Sequence, residues 1–282
     1  MKETADPGEG PRSTIGVFGT GVMAHGIALI CLHHGFDVVV VSSTAGRAEH
    51  LRDRLAHEAE RDPTPAAVTC DEAGLARAEL FVEATVEEAG AKQAALARVE
   101  PALADEALIA TTTSSLSVTA LGASLRRPER FLGLHFFNPV SRMKLVEVVA
   151  TVATSDDALA RGRAFVDRIG KRAVAVPDRA GFIVNRLMIS YLNGATRLVE
   201  GGAATVEDVD QAMKLGLAHP LGPFALIDLV GADIVAAIGR SLYEETGEAL
   251  HAPSPGLLRQ VASGRLGRKA GGGYHRYPHR KR

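Results

Sequence analysis

Cysteine is scarce in this 282-residue sequence, which contains only Cys31 and Cys70. Two cysteines cannot form a disulfide framework, and by themselves they cannot complete a zinc site. The count therefore argues against a disulfide-stapled secreted domain and against a cysteine-based metal domain. We predict a protein without a metal ion, in a reducing compartment.

Charge of one sign and long apolar runs are also missing. The 32 Lys and Arg residues nearly balance the 33 Asp and Glu residues, so bulk attraction to nucleic acid or to an anionic membrane is not expected. No apolar run reaches the roughly 18 residues that a membrane span needs. Residues 1–13 are polar, rich in Gly and Pro, and lack the apolar stretch of a signal peptide, which predicts a disordered leader. These absences together predict a cytoplasmic protein.

From Thr14 onward the sequence alternates short apolar runs with helical stretches. Strands flanked by helices on this rhythm are typical of a parallel or mixed sheet that is covered on both faces. We therefore predict an α/β Rossmann-type, doubly wound sheet. The predicted strands are the apolar runs at 14–19, 37–42, 80–85, 107–113, 131–137, 145–150 and 172–177.

After Pro177 the pattern becomes helical to the end of the chain. The segment 180–202 is apolar on more than one side, which predicts a buried helix. Thr205 and Asp208 have the spacing of a capping box and predict the start of another helix. We predict a dinucleotide-binding domain over 14–177 and an all-α domain over 178–282.

A glycine-rich turn follows the first predicted strand and opens the first predicted helix. Gly19 would allow a sharp turn, Gly21 would let the backbone approach a pyrophosphate, and Ala24 is small enough for close packing of helix on strand. The pyrophosphate would accept hydrogen bonds from the first N–H groups of the helix. A lone glycine motif is weak, but here it stands in a strand–turn–helix context. The predicted cofactor residues of this turn are Gly19, Gly21, Val22 and Met23.

His135 and Glu147 are the candidate catalytic pair. His135 stands at the end of an apolar run, where a doubly wound sheet opens its crevice. Glu147 lies inside another apolar run, where an unpaired carboxylate would be costly. A His–Glu pair would fix the imidazole tautomer and raise its basicity, as a general base for an alcohol requires. If these two residues are considered alone, the simpler interpretation is that the histidine is structural and the glutamate lies at the surface edge.

Longer motifs extend this pattern over nearly the whole chain, from Thr14 to Tyr277. In order they are "SSLSVTAL", "GLHFFNPVSRMKLVEVV", "GFIVNRL", "MKLGLAHPLGPFALIDLVG" and "GRLGRKAGGGYHRY". With these motifs the sequence resembles the 3-hydroxyacyl-CoA dehydrogenase family, which includes bacterial 3-hydroxybutyryl-CoA dehydrogenases.

The resemblance implies a role for four residues. His135 would be the catalytic histidine, Glu147 the glutamate that orients it, and Ser114 the serine that contacts the substrate oxygen. Asn185 matches the asparagine of the "GFIVNR" motif at the domain junction. The resemblance also implies a homodimer formed through the helical domain, and an enzyme that interconverts 3-hydroxyacyl and 3-oxoacyl thioesters.

The cofactor implied by the resemblance is NAD, with Glu87 and Lys92 lining its nicotinamide side. The second strand, however, ends in Ser42, where an NAD-binding protein of this kind usually has an acid that repels a 2′-phosphate. Ser43 adds a hydroxyl donor, and Arg47 could offer a cation to a phosphate. NADP is therefore expected to be accepted, although Ser42 could simply bond the NAD ribose more weakly.

A second departure from the family concerns the segment after the second strand. Family members usually have a long helical hairpin there that grips CoA, whereas only one helix fits between Arg47 and Arg61. Trimming of a surface protrusion is one explanation. An acyl carrier protein as the thioester carrier, as in polyketide extender-unit biosynthesis, is another. Two further alternatives are a free hydroxy-acid dehydrogenase acting on a sugar acid, and a nucleotide-sensing regulatory protein without turnover.

Overall fold

The computed structural model describes residues 12–58 and 66–277. Two compact units divide between Asp178 and Arg179. The predicted disordered leader lies outside the described residues except for Arg12 and Ser13, and so does the end of the helix predicted to reach Arg61. Within the described ranges, no helix combines the length and the apolar character that a membrane crossing requires.

The first unit alternates strands and helices. Its strands are β1 (Thr14–Phe18), β2 (Asp37–Val41), β3 (Ala67–Thr69), β4 (Ala78–Glu83), β5 (Leu108–Thr111), β6 (Phe131–Phe136), β7 (Leu145–Ala150) and β8 (Arg172–Pro177). Its helices are α1 (Val22–His33), α2 (Ala45–Glu58), α3 (Ala89–Val99), α4 (Val118–Gly122) and α5 (Asp156–Arg168).

Within the described chain, the strands form one sheet in the order β3-β2-β1-β4-β5-β6-β7-β8. The strands pair in parallel except at β6 and β7, which are antiparallel. The prediction of a doubly wound, mixed sheet is confirmed. The strand order reverses between β1 and β4, and in such sheets a ligand binds at that switch point, outside the carboxyl ends of the strands.

Burial explains why the strands were readable from the sequence, with one exception. The central strands β1, β2 and β4 to β7 are almost entirely buried, so each is a nearly continuous apolar run. The exception is β3, a three-residue edge strand in which only Val68 is buried. This strand was missed because three residues are too few to be recognised as an apolar run, whereas β8, which also buries only Val176, was predicted from its six residues.

The second unit is helical, as predicted. Its helices are α6 (Val184–Glu200), α7 (Val206–Gly216), α8 (Pro223–Val230), α9 (Ala232–Thr246) and α10 (Pro255–Ala262). They enclose a core that includes Ile189, Leu192 and Phe224. The Thr205 side chain accepts a hydrogen bond from the Asp208 N–H and caps α7. The predicted burial of α6 on more than one side was wrong, since Leu187 on this helix is 67% exposed within this structure.

Candidate active site

A cavity of about 890 Å³ opens at the switch point, where β1 and β4 end. Its size is within the range of small-molecule and cofactor sites. Among the predicted cofactor residues, those in its lining are Gly19, Gly21, Val22, Met23, Ser43 and Arg47. The glycine turn and the start of α2 therefore face the same space.

The glycine turn has the geometry that a bound pyrophosphate requires. Gly19 has φ +127°, and a Cβ there would stand 2.5 Å from the carbonyl oxygen of Ala84. Only glycine fits this turn. A Cβ at Gly21 would meet no atom within 4 Å, and Gly21 caps α1 without a side-chain hydrogen bond to the first N–H groups. Those N–H groups fit a phosphate.

The end of β2 corrects one expectation. Ser42 is fully buried, and its hydroxyl donates to the Thr44 carbonyl at 2.8 Å and accepts from the Thr44 N–H at 3.2 Å. The hydroxyl is therefore used within the turn, and the expected contact between Ser42 and a cofactor ribose is not available in this structure. Ser43 and Arg47 are exposed and line the cavity.

Two basic residues in the cavity wall were missed from the sequence. His50 lies three residues after Arg47 on α2, so both side chains are on one helix face. Arg98 comes from α3, where it pairs with Glu72 and lies over the Phe18 ring at 5.4 Å. Helical spacing from Arg47 could have found His50, whereas nothing in the sequence shows that Arg98 of α3 borders the same cavity.

The His135–Glu147 pair is formed as the sequence suggested. The two residues are directly paired in the antiparallel ladder of β6 and β7, which puts both side chains on one face of the sheet. The His135 Nδ1 and the Glu147 Oε2 are 2.7 Å apart. His135 is 4% exposed and Glu147 is fully buried. A buried carboxylate at this distance fixes the imidazole orientation.

Ser114 lies in a turn that Glu87 organises. The Glu87 Oε1 accepts hydrogen bonds from the N–H groups of Ser114 (2.7 Å) and Ser115 (2.9 Å) and from the Thr113 hydroxyl (2.7 Å). It also accepts from the Ser114 hydroxyl at 3.2 Å. Burial alone would raise the pKa of Glu87, but the Lys92 ammonium and these hydrogen bonds lower it below its usual value. Glu87 is thus held as a carboxylate.

Lys92 follows Ala91, which lines the cavity, and its expected place on the nicotinamide side of the cofactor stays a prediction. Its side chain is fully buried, with the ammonium 3.0 Å from a Glu83 oxygen and 3.4 Å from the Glu87 Oε2. The Glu87 side chain is partly exposed, and its expected place on the nicotinamide side likewise stays a prediction. Both residues belong to an ionic network beneath the Ser114 turn.

Asn185 belongs to the second unit, where it is buried near the start of α6. Gly181 and Phe182, just before this helix, have φ values of +69° and +48°. The motif "GFIVNR" therefore begins with two residues in the left-handed region, and its last three residues belong to α6. Within the described residues, no group of three or more His, Cys, Asp or Glu could hold a metal ion.

Comparison with known proteins gives matches over both units. The family model described as "3-hydroxyacyl-CoA dehydrogenase, NAD binding domain" matches residues 14–179, and the model described as the C-terminal domain of the same enzyme matches residues 181–277. The residues of the glycine turn and the His135–Glu147 pair lie within the first match.

Similar proteins include bacterial and human enzymes. A Mycobacterium tuberculosis 3-hydroxybutyryl-CoA dehydrogenase is 39% identical over 93% of this chain and 98% of its own. Human mitochondrial hydroxyacyl-coenzyme A dehydrogenase is 39% identical over 93% of this chain and 90% of its own. The structure of (S)-3-hydroxybutyryl-CoA dehydrogenase PaaH1 from Ralstonia eutropha has a TM-score of 0.91 and 32% identity, covering 95% of this chain and all of the other. The chain belongs to the 3-hydroxyacyl-CoA dehydrogenase family.

Proposed function

We propose that this protein interconverts an (S)-3-hydroxyacyl thioester and the corresponding 3-oxoacyl thioester with a nicotinamide cofactor. The observation that carries the proposal is the His135–Glu147 pair at 2.7 Å, located at the end of β6 in a sheet with a cavity at its switch point. The stereochemistry is suggested by the name of the Ralstonia relative.

The chemistry follows from the roles proposed for the side chains. The Nδ1 of His135 is held by Glu147, so Nε2 accepts the proton of the substrate hydroxyl as the C3–O bond becomes a carbonyl. The Ser114 hydroxyl donates to this oxygen once it has left its hydrogen bond to the Glu87 Oε1. The bound cofactor supplies the hydride acceptor for C3. In the reverse direction, protonated His135 returns the proton to the oxygen, and Glu147 stabilises the imidazolium that precedes that step.

Steady-state turnover tests the proposal. Purified protein is assayed with acetoacetyl-CoA, with the same acyl group on an acyl carrier protein, and with free 3-hydroxy acids including sugar acids. We expect oxidation of the reduced cofactor with a thioester. Turnover of free acids alone would identify a free hydroxy-acid dehydrogenase, and tight cofactor binding without any turnover would identify a nucleotide sensor. Either result would overturn the proposal.

The carrier of the acyl group is a second question, and a carrier protein is the second candidate. The alignment with the M. tuberculosis enzyme spans 279 positions but only 93% of this 282-residue chain, so that enzyme has internal positions without a counterpart here. A short segment after β2 agrees with this difference. If a CoA grip is lost, kcat/KM should be higher for the carrier-bound substrate, and a low-micromolar KM for acetoacetyl-CoA would refute that version.

We infer that the cofactor site accepts NADP as well as NAD. Ser42 replaces the usual acid, and its hydroxyl is turned inward, so no carboxylate at this position repels a 2′-phosphate. Arg47 lines the cavity and, among the described residues, has no carboxylate within 4 Å. His50 lies on the same face of α2. The exposed hydroxyl of Ser43 completes a set of donors that fits a phosphate group.

Two cofactor-binding measurements test this inference. Ser42→Asp should weaken NADPH binding and favour NADH, because it restores a carboxylate at the strand end. Arg47→Ala should weaken NADPH by about 10-fold or more and leave NADH nearly unchanged, since a hydrogen bond to a charged group contributes about 1.5–3 kcal/mol. Arg163→Ala, at an exposed arginine of α5, is the matched control. Equal losses for both cofactors, or none, would refute the assignment.

A homodimer formed through the second unit completes the proposal. Leu215, Leu217, Leu187 and Leu250 are 80%, 63%, 67% and 55% exposed within this chain. A dimer interface would cover such exposed leucines. Light scattering on the purified chain should give the mass of two copies, and a monomer at micromolar concentration would contradict the dimer.

A further inference from the structure

A buried lysine binds the loop that joins the two strands of the proposed catalytic pair. This β6–β7 loop consists of residues 137–144. The ammonium of Lys171, the residue just before β8, donates hydrogen bonds to the Val140 carbonyl (2.5 Å) and to the Met143 carbonyl (2.6 Å). Lys171 is only 9% exposed. One buried cation therefore binds two carbonyl groups of the same loop.

The Lys171 ammonium is matched to these carbonyls and not to a carboxylate. In the part of the chain that the structure describes, it has no ion-pair partner. Burial lowers the pKa of Lys171, because the charged form loses hydration that no opposite charge replaces. An apolar side chain would avoid this cost, but it would leave both carbonyls without this donor. The two charge-assisted hydrogen bonds are therefore what the buried charge provides.

Two further contacts attach the β6–β7 loop to its surroundings. Val140 is 3% exposed and packs against Gly26 of α1, where an added Cβ would stand 2.9 Å from the Val140 Cβ. The Arg172 N–H donates to the Lys144 carbonyl at 2.7 Å. Lys171 and its neighbour thus attach the loop to the start of β8, while Val140 attaches it to the helix of the glycine turn.

The first residue of the β6–β7 loop contacts the proposed base. The ring centroids of Phe137 and His135 are 4.6 Å apart, with an angle of 59° between the ring planes. The paired residues His135 and Glu147 are separated from the loop by one further pair, Phe136 and Val146. A displacement of the loop therefore reaches the imidazole by two routes, through the Phe137 ring and through the adjacent strand pair.

We infer that Lys171 is a positioning residue for the proposed reaction. Its ammonium holds the β6–β7 loop, and the loop in turn keeps Phe137 and the His135–Glu147 pair in the geometry that proton transfer requires. A small misplacement of a reacting group can cost about 10²-fold in rate, so the fixed loop contributes to kcat. This inference rests on the proposed function, and it assigns a role to a residue outside the catalytic pair.

Lys171→Met tests the inference by separating kcat from cofactor affinity. Met fills much of the same space and removes the charge. We expect kcat for oxidation of 3-hydroxybutyryl-CoA to fall by about 10-fold to 10²-fold, with the Kd for NADH changed by less than about threefold. Arg163→Met, at an exposed arginine of α5, is the control for loss of one positive charge and should behave as wild type. A kcat within about twofold of wild type at saturating cofactor would overturn the inference.

Two measurements do not depend on turnover. The NMR signals of the His135 ring should shift in Lys171→Met because the neighbouring Phe137 ring moves, whereas those of His251, buried in the second unit, should stay in place. The N–H groups of Arg142 and Met143, which both donate to the Pro139 carbonyl, should exchange at least about 10-fold faster. If the His135 signals and the exchange rates are both unchanged, Lys171 does not hold the loop and the inference is refuted.

Phe137→Leu keeps the inference testable if Lys171→Met does not fold. This half-buried residue supplies the contact between the loop and the imidazole, so its loss should also lower kcat by about 10-fold or more while the exchange at Arg142 and Met143 stays as in wild type. An unchanged kcat would show that the loop does not act on His135 through Phe137 and would overturn the inference. An inactive wild type would refute only the proposed function, and the ring signals and exchange rates would still decide whether Lys171 holds the loop.

Discussion

The contact between Glu147 and His135 gives the sharpest test of the proposed mechanism. Glu147→Gln keeps the shape of a fully buried side chain and removes its charge. The neutral amide oxygen can still accept a hydrogen bond from the imidazole Nδ1. What the substitution removes is the electrostatic stabilisation of the imidazolium, which forms when His135 takes the substrate proton. We therefore expect kcat to fall with only a small change in cofactor affinity.

The magnitude can be bracketed from the geometry. Replacing a charge-assisted hydrogen bond by a neutral one costs about 1 kcal/mol, which is the lower bound. For charge centres roughly 4 Å apart at an effective dielectric constant of about 20, the Coulomb energy is about 4 kcal/mol, which is the upper bound. These bounds correspond to a decrease in kcat of about 5-fold to about 10³-fold. We expect a value near 10², below the loss for His135→Gln, which removes a general base contributing up to about 10⁴-fold.

The assay is cofactor reduction with saturating 3-hydroxybutyryl-CoA, combined with urea unfolding of each variant. Glu79→Gln is the matched control, because Glu79 makes a partly exposed ion pair with Arg168 in the same unit. It should leave kcat unchanged. If Glu147→Gln retains kcat within about twofold of wild type, the carboxylate does not stabilise an imidazolium during turnover, and the pair is structural. If His135→Gln also retains near-normal turnover, His135 is not the base.

Three further predictions test other parts of the site. Gly19→Ala should destabilise the fold by about 1–3 kcal/mol, because φ at this residue is +127° and the new Cβ would meet the Ala84 carbonyl. Gly21→Ala has open space around its new Cβ, so it should keep the urea midpoint of wild type and weaken only NADH binding. The stability of the wild type should depend on pH through Glu87, whose pKa is lower in the folded protein than its ordinary value of 4.5. The contribution of Glu87 to the free energy of unfolding is complete above pH 4.5, and it disappears as the pH falls through the folded pKa. Glu87→Gln should therefore unfold at a lower temperature than wild type at pH 7, with a difference that shrinks below pH 4.5, and a constant difference would refute this linkage. Asp208→Ala should weaken the α7 N-terminus by about 1 kcal/mol or less, measured as a urea midpoint, since the Thr205 cap itself remains.

The architecture could be predicted from the sequence because the features that identify this fold lie within short segments of the chain. Buried parallel strands leave apolar runs, and the glycine turn has to keep Gly19 at a φ that other residues avoid. The same reasoning fails for a very short strand and for an exposed apolar face. The edge strand β3 buries one side chain, and the exposed face of α6 carries Leu187, which the apolar pattern assigned to a core. The apolar residues of a helix face predict that the face is buried, but they do not specify whether residues of the same chain bury it.

The sequence predicted which residues lie near the site, but it predicted the contacts of their polar atoms less well. Ser42 marks the strand end where the usual acid is missing, yet its hydroxyl bonds Thr44 and leaves Arg47 facing the cavity. Lys92 marks the right segment, yet a fully buried ammonium serves Glu83 and Glu87. Both differences have one cause. A sequence motif fixes which backbone segment borders a site, whereas the direction of a polar side chain depends on which buried partner competes for it. For Lys92 that partner is Glu83, which lies nine positions earlier at the end of β4 and is paired with β5. Such competition can be recognised only once the pairing of the neighbouring strands is known.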